Sequence, residues 1–290
     1  MISAYLIHLL ILIGIYLILT LSLQLALGYT GLLNMGHIAF YAIGAYVSAL
    51  FTLNGTPFIL AILTAGIISA VFGVLLALPT NRLKGDYLAL ATLGFSFVIY
   101  AITLNWTSLT RGPLGLPGIP RPEIGGFAFS SNVSFLVLTA IVAGLTYFII
   151  WKIVKSPFGR VLEATRDDEL ATKTLGKNTN KIKTIAMSTS AFFAGISGSL
   201  YAHYITFIDP SSFTILQLIP VISIVIIGGM ASLRGTIIAT IILVLLPEPL
   251  RFIGFPSSIV GPMRQIIYAL ILILILIFKP KGFYGKVELD

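Results

Sequence analysis

Apolar stretches separated by short polar breaks run along most of this 290-residue chain. A helix that crosses a membrane needs about 20 mostly apolar residues. Nine stretches approach or reach that length: 4–27, 37–53, 58–78, 87–104, 135–151, 184–205, 213–230, 235–250 and 264–278. The pattern predicts an all-α polytopic membrane protein with about 8 to 10 transmembrane helices, because the short stretches are typical of partial or broken spans. We expect residues 1–290 to form a single transmembrane domain.

One break in this pattern carries candidate chemistry. Residues 28–37, GYTGLLNMGH, place three glycines, an asparagine and a histidine inside an otherwise apolar run. We expect a broken helix here, and such breaks often form substrate sites in membrane transporters. The candidate residues of a substrate pathway are Gly31, Asn34, Gly36 and His37. The alternative is an ordinary tight connection between two spans.

Composition supports burial in lipid. Hydrophobic residues make up 57% and charged residues 10% of the chain, whereas a soluble domain is about 25% charged. The net charge of +8 does not indicate nucleic-acid binding, because the basic residues lie in loops that orient the chain in the membrane. Without cysteine there is no disulfide or thiolate metal site. The sequence also lacks Walker A, H-E-x-x-H and Cys/His patterns, so we expect no enzyme, metal or cofactor.

The charged residues are concentrated in one segment. Residues 152–183 hold 12 of the 28 charged side chains, and residues 1–81 hold none. If this segment is cytoplasmic, 14 of the 18 lysines and arginines fall on the cytoplasmic side, as the positive-inside rule requires. The exceptions are Arg111, Arg121, Arg251 and Arg264. We therefore expect a cytoplasmic C-terminus and an N-terminus outside.

The charged segment has the signals of a short amphipathic helix. Ser156 is a suitable N-cap before Pro157, and Gly176 a suitable left-handed C-cap. Apolar positions at helical spacing predict one packed face: Val161, Ala164, Ala171 and Leu175. Such a helix either lies solvated or at the membrane interface, or inserts into a groove of a soluble partner.

Two other patterns shape the expected fold. Residues 105–134 are rich in proline and glycine, which cannot continue a helix, so we expect an outer cap there. The glycine-rich runs at 195–199 and 228–232 predict close helix packing.

Acidic residues are missing from the predicted span centres. Asp86, Asp209 and Glu248 all lie near span ends, whereas ion-coupled carriers usually need ionisable groups inside their spans. The chain is therefore expected to draw its energy from an external ATPase. An ion-coupled secondary amino-acid carrier that works alone is the alternative from a different class.

Six motifs occur in order along the chain: GYTGLLNMGHIAFYAIGAY (28–46), LKGDYLALATLGF (83–95), TRGPLGLPGIP (110–120), SPFGRVLEATRDDELATKTLG (156–176), YAHYITFIDPSSFT (201–214) and IGGMASLRG (227–235). Together they resemble the permeases of branched-chain amino-acid ABC importers, specifically the M-type subunit of the H/M pair. The resemblance extends from about residue 10 to about residue 280.

This resemblance implies a multi-pass inner-membrane permease for branched-chain or other hydrophobic amino acids. Its implied partners are an H-type permease, ATP-binding subunits that bind the ATP, and an extracytoplasmic substrate-binding protein. The charged segment is similar to the family's ATPase-contact loop, with Glu163, Ala164 and Gly176 at the matching positions. We expect this segment to couple to the ATPase through Arg160, Glu163, Ala164, Arg166, Asp167, Asp168 and Gly176. Urea and short-amide permeases share these motifs, so the sequence leaves the substrate open.

Overall fold

The computed structural model describes residues 2–83, 85–248, 257–279 and 281–285. A π-helical segment, Gln24–Tyr29, extends the first helix, and the few strands have two residues each. The α-helices are α1 (Ile2–Leu23), α2 (His37–Leu53), α3 (Phe58–Thr80), α4 (Gly85–Asn105), α5 (Thr107–Thr110), α6 (Asn132–Lys155), α7 (Pro157–Asp167), α8 (Glu169–Thr174), α9 (Thr179–Ile205), α10 (Leu218–Gly228), α11 (Leu233–Leu245) and α12 (Ser257–Phe278).

Each of the nine predicted stretches coincides with a helix in the described part of the chain. The agreement is closest for α2, which begins at His37 and ends at Leu53 as the apolar pattern predicts. Among the described residues, four helical stretches are long and apolar enough by themselves to cross a membrane: Ala4–Tyr29, Phe58–Thr80, Gly85–Asn105 and Asn132–Lys155. The prediction of an all-α polytopic membrane protein is confirmed.

Two predicted spans are too long. α10 has 11 residues and α11 has 13, which at 1.5 Å per residue gives helices of only about 16 and 20 Å. Short 3-10 turns before α10 and a turn at 229–232 replace the ends of the predicted stretch 213–230, and a turn at 246–248 follows α11 within the predicted stretch 235–250. Residues 249 and 250 lie outside the described residues. The two short helices pack against each other as a hairpin.

α9 is the centre of the bundle and packs against α1, α2 and α3. A side chain at Gly198 would collide with the backbone of Tyr41 on α2, so glycine allows the two helices to approach closely. Serine hydroxyls hold another face of α9 to α1, because Ser190 donates to the Ser22 carbonyl (2.6 Å) and Ser197 to the Ile15 carbonyl (2.8 Å). The packing role predicted for the 195–199 run is confirmed.

The outer faces of the bundle are apolar. On α3 the exposed side chains recur every three or four residues: Ile67, Val71, Leu75 and Leu78. The opposite side of the same helix is buried and small: Ala61, Ala65 and Ser69. A continuous apolar stripe of this length is unusual on a soluble protein, and it fits contact with lipid.

The connections between helices gather at two ends. The basic end comprises residues 81–83, 156–178, 229–232 and 281–285. Three hydrogen bonds to backbone carbonyls attach these segments to the bundle or to each other: Lys183 to Asn81, Arg166 to Gly28, and Phe283 N–H to Ile227. The cap end comprises residues 52–58, 105–131 and 206–217. Of the basic residues that predict orientation, Lys84, Arg251 and Lys286 lie outside the described residues.

The Pro/Gly-rich segment folds onto the cap end. Leu116–Pro117 (β1) pairs antiparallel with Phe207–Ile208 (β4), and Glu123–Ile124 (β2) with Phe127–Ala128 (β3). The first pairing attaches the segment to the chain just after α9. That this end faces outward stays a prediction.

Candidate functional site

The first helix changes from α-helical to π-helical hydrogen bonding before it ends. Gln24–Tyr29 forms a π-helix, and all six of its residues are buried. After it, Gly31 N–H donates to the Leu27 carbonyl (3.0 Å) and Leu32 N–H to the Ala26 carbonyl (2.9 Å). Gly31 has a φ of +71°, which glycine adopts without strain. π-helical turns occur frequently at functional sites.

The broken segment, residues 30–36, runs back into the bundle before α2 begins. Asn34 is only 1% exposed, and its Oδ1 accepts a hydrogen bond from Gly36 N–H (2.9 Å). Asn34 Nδ2 is buried and has no hydrogen-bond partner among the described residues. A buried amide donor without a partner costs free energy, so a ligand or a water molecule that accepts from it is favoured here.

His37 is fully buried at the start of α2. Its Nε2 lies 3.1 Å from the Leu19 carbonyl and 2.9 Å from Ser22 Oγ. Because a carbonyl only accepts, Nε2 carries a proton. Within the described chain Nδ1 has no hydrogen-bond partner. The histidine joins the start of α2 to the C-terminal end of α1 and leaves one ring nitrogen without a partner among the described residues.

Helix α4 braces the same segment. Met35 N–H donates to Thr92 Oγ1 (2.9 Å), and Ser96 Oγ donates to the Met35 carbonyl (3.2 Å). Thr92, Ser96 and Ser22 were not predicted from the sequence. Their only signal is that each is a small hydroxyl residue inside an apolar helix, and such residues often mark helix contacts in membranes.

An apolar groove lies beside the broken segment. Its volume is about 260 Å³. Its lining consists of Met35, Ile38, Ser96, Phe97, Tyr100 and residues 213–216 and 218. The broken segment thus contributes both to a buried polar cluster and to an apolar groove.

Of the four predicted pathway residues, the structure buries three together: Asn34, Gly36 and His37. A side chain at Gly36 would approach the Thr92 carbonyl at 2.8 Å, so glycine permits contact with α4. Gly31 is separate, since it lies exposed at the basic end against the Arg166 side chain.

The prediction of one helix over 156–176 is wrong. Ser156 does cap α7, accepting from Gly159 N–H, and Gly176 has the expected positive φ of +76°. Between them the chain leaves the helical conformation at Asp168, whose φ is −151°. The Asp168 carboxylate accepts from Leu170 N–H (2.9 Å) and Ala171 N–H (3.0 Å). Aspartate competes with helical hydrogen bonds in this way, so it ends α7 and caps α8.

The packed face of this segment was also predicted wrongly. The buried positions are Gly159, Leu162, Thr165 and Thr172, whereas Ala164, Ala171 and Leu175 are exposed. Within α7 the buried face is the one that carries Leu162 and Thr165, so Ala164 is exposed. Beyond Asp168 the chain starts a second helix, and one continuous apolar stripe does not extend across both helices.

The predicted ATPase-contact residues divide between two environments. Five are exposed: Arg160, Ala164, Asp167, Asp168 and Gly176. Two exposed leucines lie near them, Leu170 and Leu175, and Leu175 is 78% exposed. Glu163 is half-buried, and Arg166 turns inward toward α1.

A buried ion pair that sequence analysis missed holds α8 to the bundle. Lys183 Nζ on α9 lies 2.7 Å from Glu169 Oε2, and Lys173 Nζ lies 2.9 Å from Glu169 Oε1. Burial raises the pKa of Glu169, but hydrogen bonds from Lys183 and Lys173 outweigh it and lower the pKa to about 2. The i,i+4 spacing of Glu169 and Lys173 is the one sequence pattern that indicates an ion pair of Glu169.

The comparisons with known proteins agree with one another. The family model described as "Branched-chain amino acid transport system / permease component" matches residues 5–276. The chain is 37% identical over 293 residues to the high-affinity branched-chain amino acid transport system permease protein LivM of Salmonella typhimurium, covering 92% of this chain and 67% of the relative.

A second relative is the probable branched-chain amino acid transport permease protein LivM of Methanocaldococcus jannaschii, 27% identical over 316 residues, with 93% of this chain and 90% of the relative covered. Among solved structures, PsaBC from Streptococcus pneumoniae in complex with Fab matches with a TM-score of 0.50 at 15% identity. That match covers 95% of this chain and 92% of the other, and it supports the fold alone.

Proposed function

The chain belongs to the permease-component family of branched-chain amino acid transport systems, and we propose that it is the M-type transmembrane subunit of an ABC importer. Its substrates are branched-chain or other hydrophobic amino acids, and separate subunits hydrolyse the ATP. It is a multi-pass protein of the inner membrane, like the permeases it resembles.

The basic end faces the cytoplasm in this proposal. Its support is the distribution of lysine and arginine along the sequence, because 14 of the 18 fall on the cytoplasmic side in this orientation. The C-terminus is then cytoplasmic, and the cap end faces the extracytoplasmic binding protein. An H-type permease completes the membrane pathway.

The observation that carries the proposal is the exposed surface of α7 and α8. Arg160, acidic residues and two leucines are exposed there, and Leu162 and the Glu169–Lys183 pair anchor α7 and α8 to the bundle. An interface-lying helix would turn its leucines toward the lipid. Exposed leucines among charges instead suit a groove on a soluble ATP-binding subunit.

The buried polar cluster of the broken segment is the proposed substrate pathway, with Asn34, Gly36 and His37 inside and Gly31 at its basic end. A zwitterion that leaves water needs hydrogen-bonding groups, and Asn34 Nδ2 offers a donor. The adjacent groove of about 260 Å³ offers apolar walls to an aliphatic side chain.

The transport proposal is tested in proteoliposomes that contain this chain with its co-purified partner subunits. With loaded binding protein on the cap side and Mg-ATP on the basic side, we expect radiolabelled leucine to accumulate. Uptake driven by a proton or sodium gradient without ATP would identify a secondary carrier. Accumulation of urea but not of leucine would assign the chain to the urea permeases.

The pathway assignment needs variants that separate transport from folding. We expect Asn34→Leu to lower leucine uptake about tenfold, as loss of one good hydrogen bond implies, with only the small fall in melting temperature that loss of the Gly36 N–H bond to Asn34 Oδ1 requires. Asn54→Leu is the matched control, because Asn54 lies exposed at the other end of α2 and bonds only locally. If stability and uptake fall together in Asn34→Leu, the segment is only structural.

A further inference from the structure

We propose that Arg166 is a positioning residue that transmits movement of α7 to the broken segment. This inference rests on the proposed function, because it assumes that an ATP-binding subunit docks on α7 and α8. It concerns one side chain that points away from that docking surface and into the membrane domain.

Arg166 reaches the end of the first helix directly. Its Nη1 donates to the Gly28 carbonyl at 2.8 Å, across 138 residues of sequence. Its aliphatic stem covers Gly31, where an added Cβ would lie 2.9 Å from Arg166 Cγ. The side chain is only 12% exposed, so this contact is largely shielded from water.

Asp167 fixes the orientation of the guanidinium. Arg166 Nε donates to Asp167 Oδ1 at 2.8 Å, and Nη2 lies 2.8 Å from the same oxygen. The Asp167 side chain is 64% exposed, so it stands on the proposed docking surface while it holds Arg166. A subunit that binds Asp167 therefore acts on the Arg166 contact directly.

The carbonyl that Arg166 binds lies at a helix C-terminus. The last carbonyls of a helix lack intrahelical N–H partners and carry partial negative charge. A guanidinium supplies the missing N–H donor and a compensating positive charge in one charge-assisted hydrogen bond. The hydrogen-bond pattern of the π-helix Gln24–Tyr29 differs from that of the α-helix before it. A displacement of the Gly28 carbonyl therefore acts on a turn that has an alternative, α-helical hydrogen-bond pattern.

The same turn touches the α10–α11 hairpin. Gln24 Nε2 donates to the Gly229 carbonyl (2.9 Å), and the Ala231 N–H nitrogen lies 2.8 Å from where a Gly28 Cβ would be. The C-terminal segment closes over the hairpin, with Tyr284 N–H donating to the Gly228 carbonyl (3.1 Å). Movement at Arg166 thus reaches both Asn34, six residues beyond Gly28, and the hairpin tip.

The other strong contact of the charged segment acts differently. Glu169 pairs with Lys183, which is part of the 27-residue helix α9 at the centre of the bundle. That pair fixes α8 to a rigid element. Arg166 instead binds a π-helical turn that ends in a non-helical segment, which makes it the contact suited to transmit a displacement.

The test uses the whole complex with its partner subunits and a single cysteine, Leu33→Cys, in the broken segment. Leu33 is half-buried and the chain has no native cysteine. With Arg166 intact we expect Mg-ATP to change the rate of maleimide labelling at position 33. In Arg166→Ala we expect this change to disappear and uptake to fall about tenfold, while subunit assembly and basal ATP hydrolysis persist.

Arg166→Lys is expected to restore part of the labelling change, because lysine keeps a donor and the charge but not the planar fork. Arg82→Ala is the matched control, since Arg82 is an exposed arginine at the same end. It should behave as wild type.

Three outcomes overturn the inference: Arg166→Ala keeps the ATP-dependent labelling change, it loses assembly with the ATP-binding subunits, or both Arg166 variants lower the melting temperature with no uncoupling. If wild type shows the labelling change and Arg166→Ala abolishes it, yet no amino acid is transported, Arg166 keeps its role and the proposed substrate is wrong.

Discussion

The two ends of the bundle are held by different kinds of contact. At the cap end the attachment runs through backbone pairing and short side chains. At the basic end, long charged side chains hold α7 and α8, whereas backbone hydrogen bonds from Phe283 and Tyr284 hold only the C-terminal segment to α10. Backbone pairing fixes both distance and direction, whereas a long side chain can keep one hydrogen bond while the helix beneath it shifts.

At the cap end, Leu116 pairs with Ile208, and Ile119 N–H donates to the Thr206 carbonyl (3.2 Å). His203 adds a link between helices, because its Nδ1 donates to the Pro120 carbonyl (2.7 Å) and its Nε2 lies 2.9 Å from Ser48 Oγ. These contacts join the cap to α2 and α9 as one unit. We infer a cap that moves with the bundle.

At the basic end, α7 contributes Arg166 to the Gly28 carbonyl, and α8 contributes Glu169 to Lys183. The first contact joins α7 to a π-helical turn that ends in a non-helical segment, and the second joins α8 to the long helix α9. The charged segment is therefore attached to two elements of different kinds, one of which leads to the broken segment.

The largest expected effect is on sidedness, which is all or none. A cysteine at Leu175 should react with a membrane-impermeant maleimide only from the cytoplasmic side, and one at Leu114 only from outside. Both side chains are strongly exposed, at opposite ends of the bundle. Labelling of whole cells and of inverted vesicles measures this. Reversed access would overturn the orientation and reassign the docking surface.

The second effect concerns the anchor of α8. Lys183→Met leaves the Glu169 charge buried with one partner fewer, which should lower the free energy of unfolding by about 3 kcal/mol. Thermal unfolding of the detergent-solubilised protein measures the loss. The double variant Lys183→Met, Glu169→Gln should recover part of it, because no uncompensated charge remains. Equal stability of Lys183→Met and wild type would show that the Glu169–Lys183 ion pair does not anchor α8.

The third effect tests the cap. His203→Ala removes the link from Ser48 to the Pro120 carbonyl and should cost about 2 kcal/mol, the penalty for unsatisfied buried polar groups. Hydrogen exchange should rise at residues 116–120 and stay unchanged at 157–167. If exchange rises equally at both ends, the two ends are not independently held.

The smallest effect is a pH dependence at the basic end. The folded-state pKa of Glu169 is lowered from 4.5 to about 2, so its stabilising contribution is complete above pH 4.5 and is lost as the pH falls toward about 2. Melting temperatures measured between about pH 5.5 and about pH 3 should therefore fall. In Glu169→Gln this fall should be smaller. An identical slope in both proteins would contradict the assigned pKa.

Sequence alone determined where the helices lie. Apolar stretches of membrane-spanning length do not depend on neighbours, because lipid requires every spanning segment to satisfy its own backbone. The cap of α7 at Ser156, the turn at Gly176 and the start of α2 at His37 follow from local chemistry too, and all three were predicted. The break near Asn34 was readable because glycine and polar residues interrupt the apolar run.

Only the tertiary structure decided which partners these residues meet. The contact of Arg166 with an ATPase stays a prediction, and its hydrogen bond to the Gly28 carbonyl, 138 residues away in the sequence, could not be predicted. Glu169 was not singled out, yet it pairs with a lysine on another helix. The split at Asp168 and the shortness of α10 likewise reflect competing hydrogen bonds and packing across the bundle. Local sequence sets the conformational preference of each segment. Contacts between distant segments decide which face of a helix is buried, because the spacing of residues within one segment does not specify its neighbours.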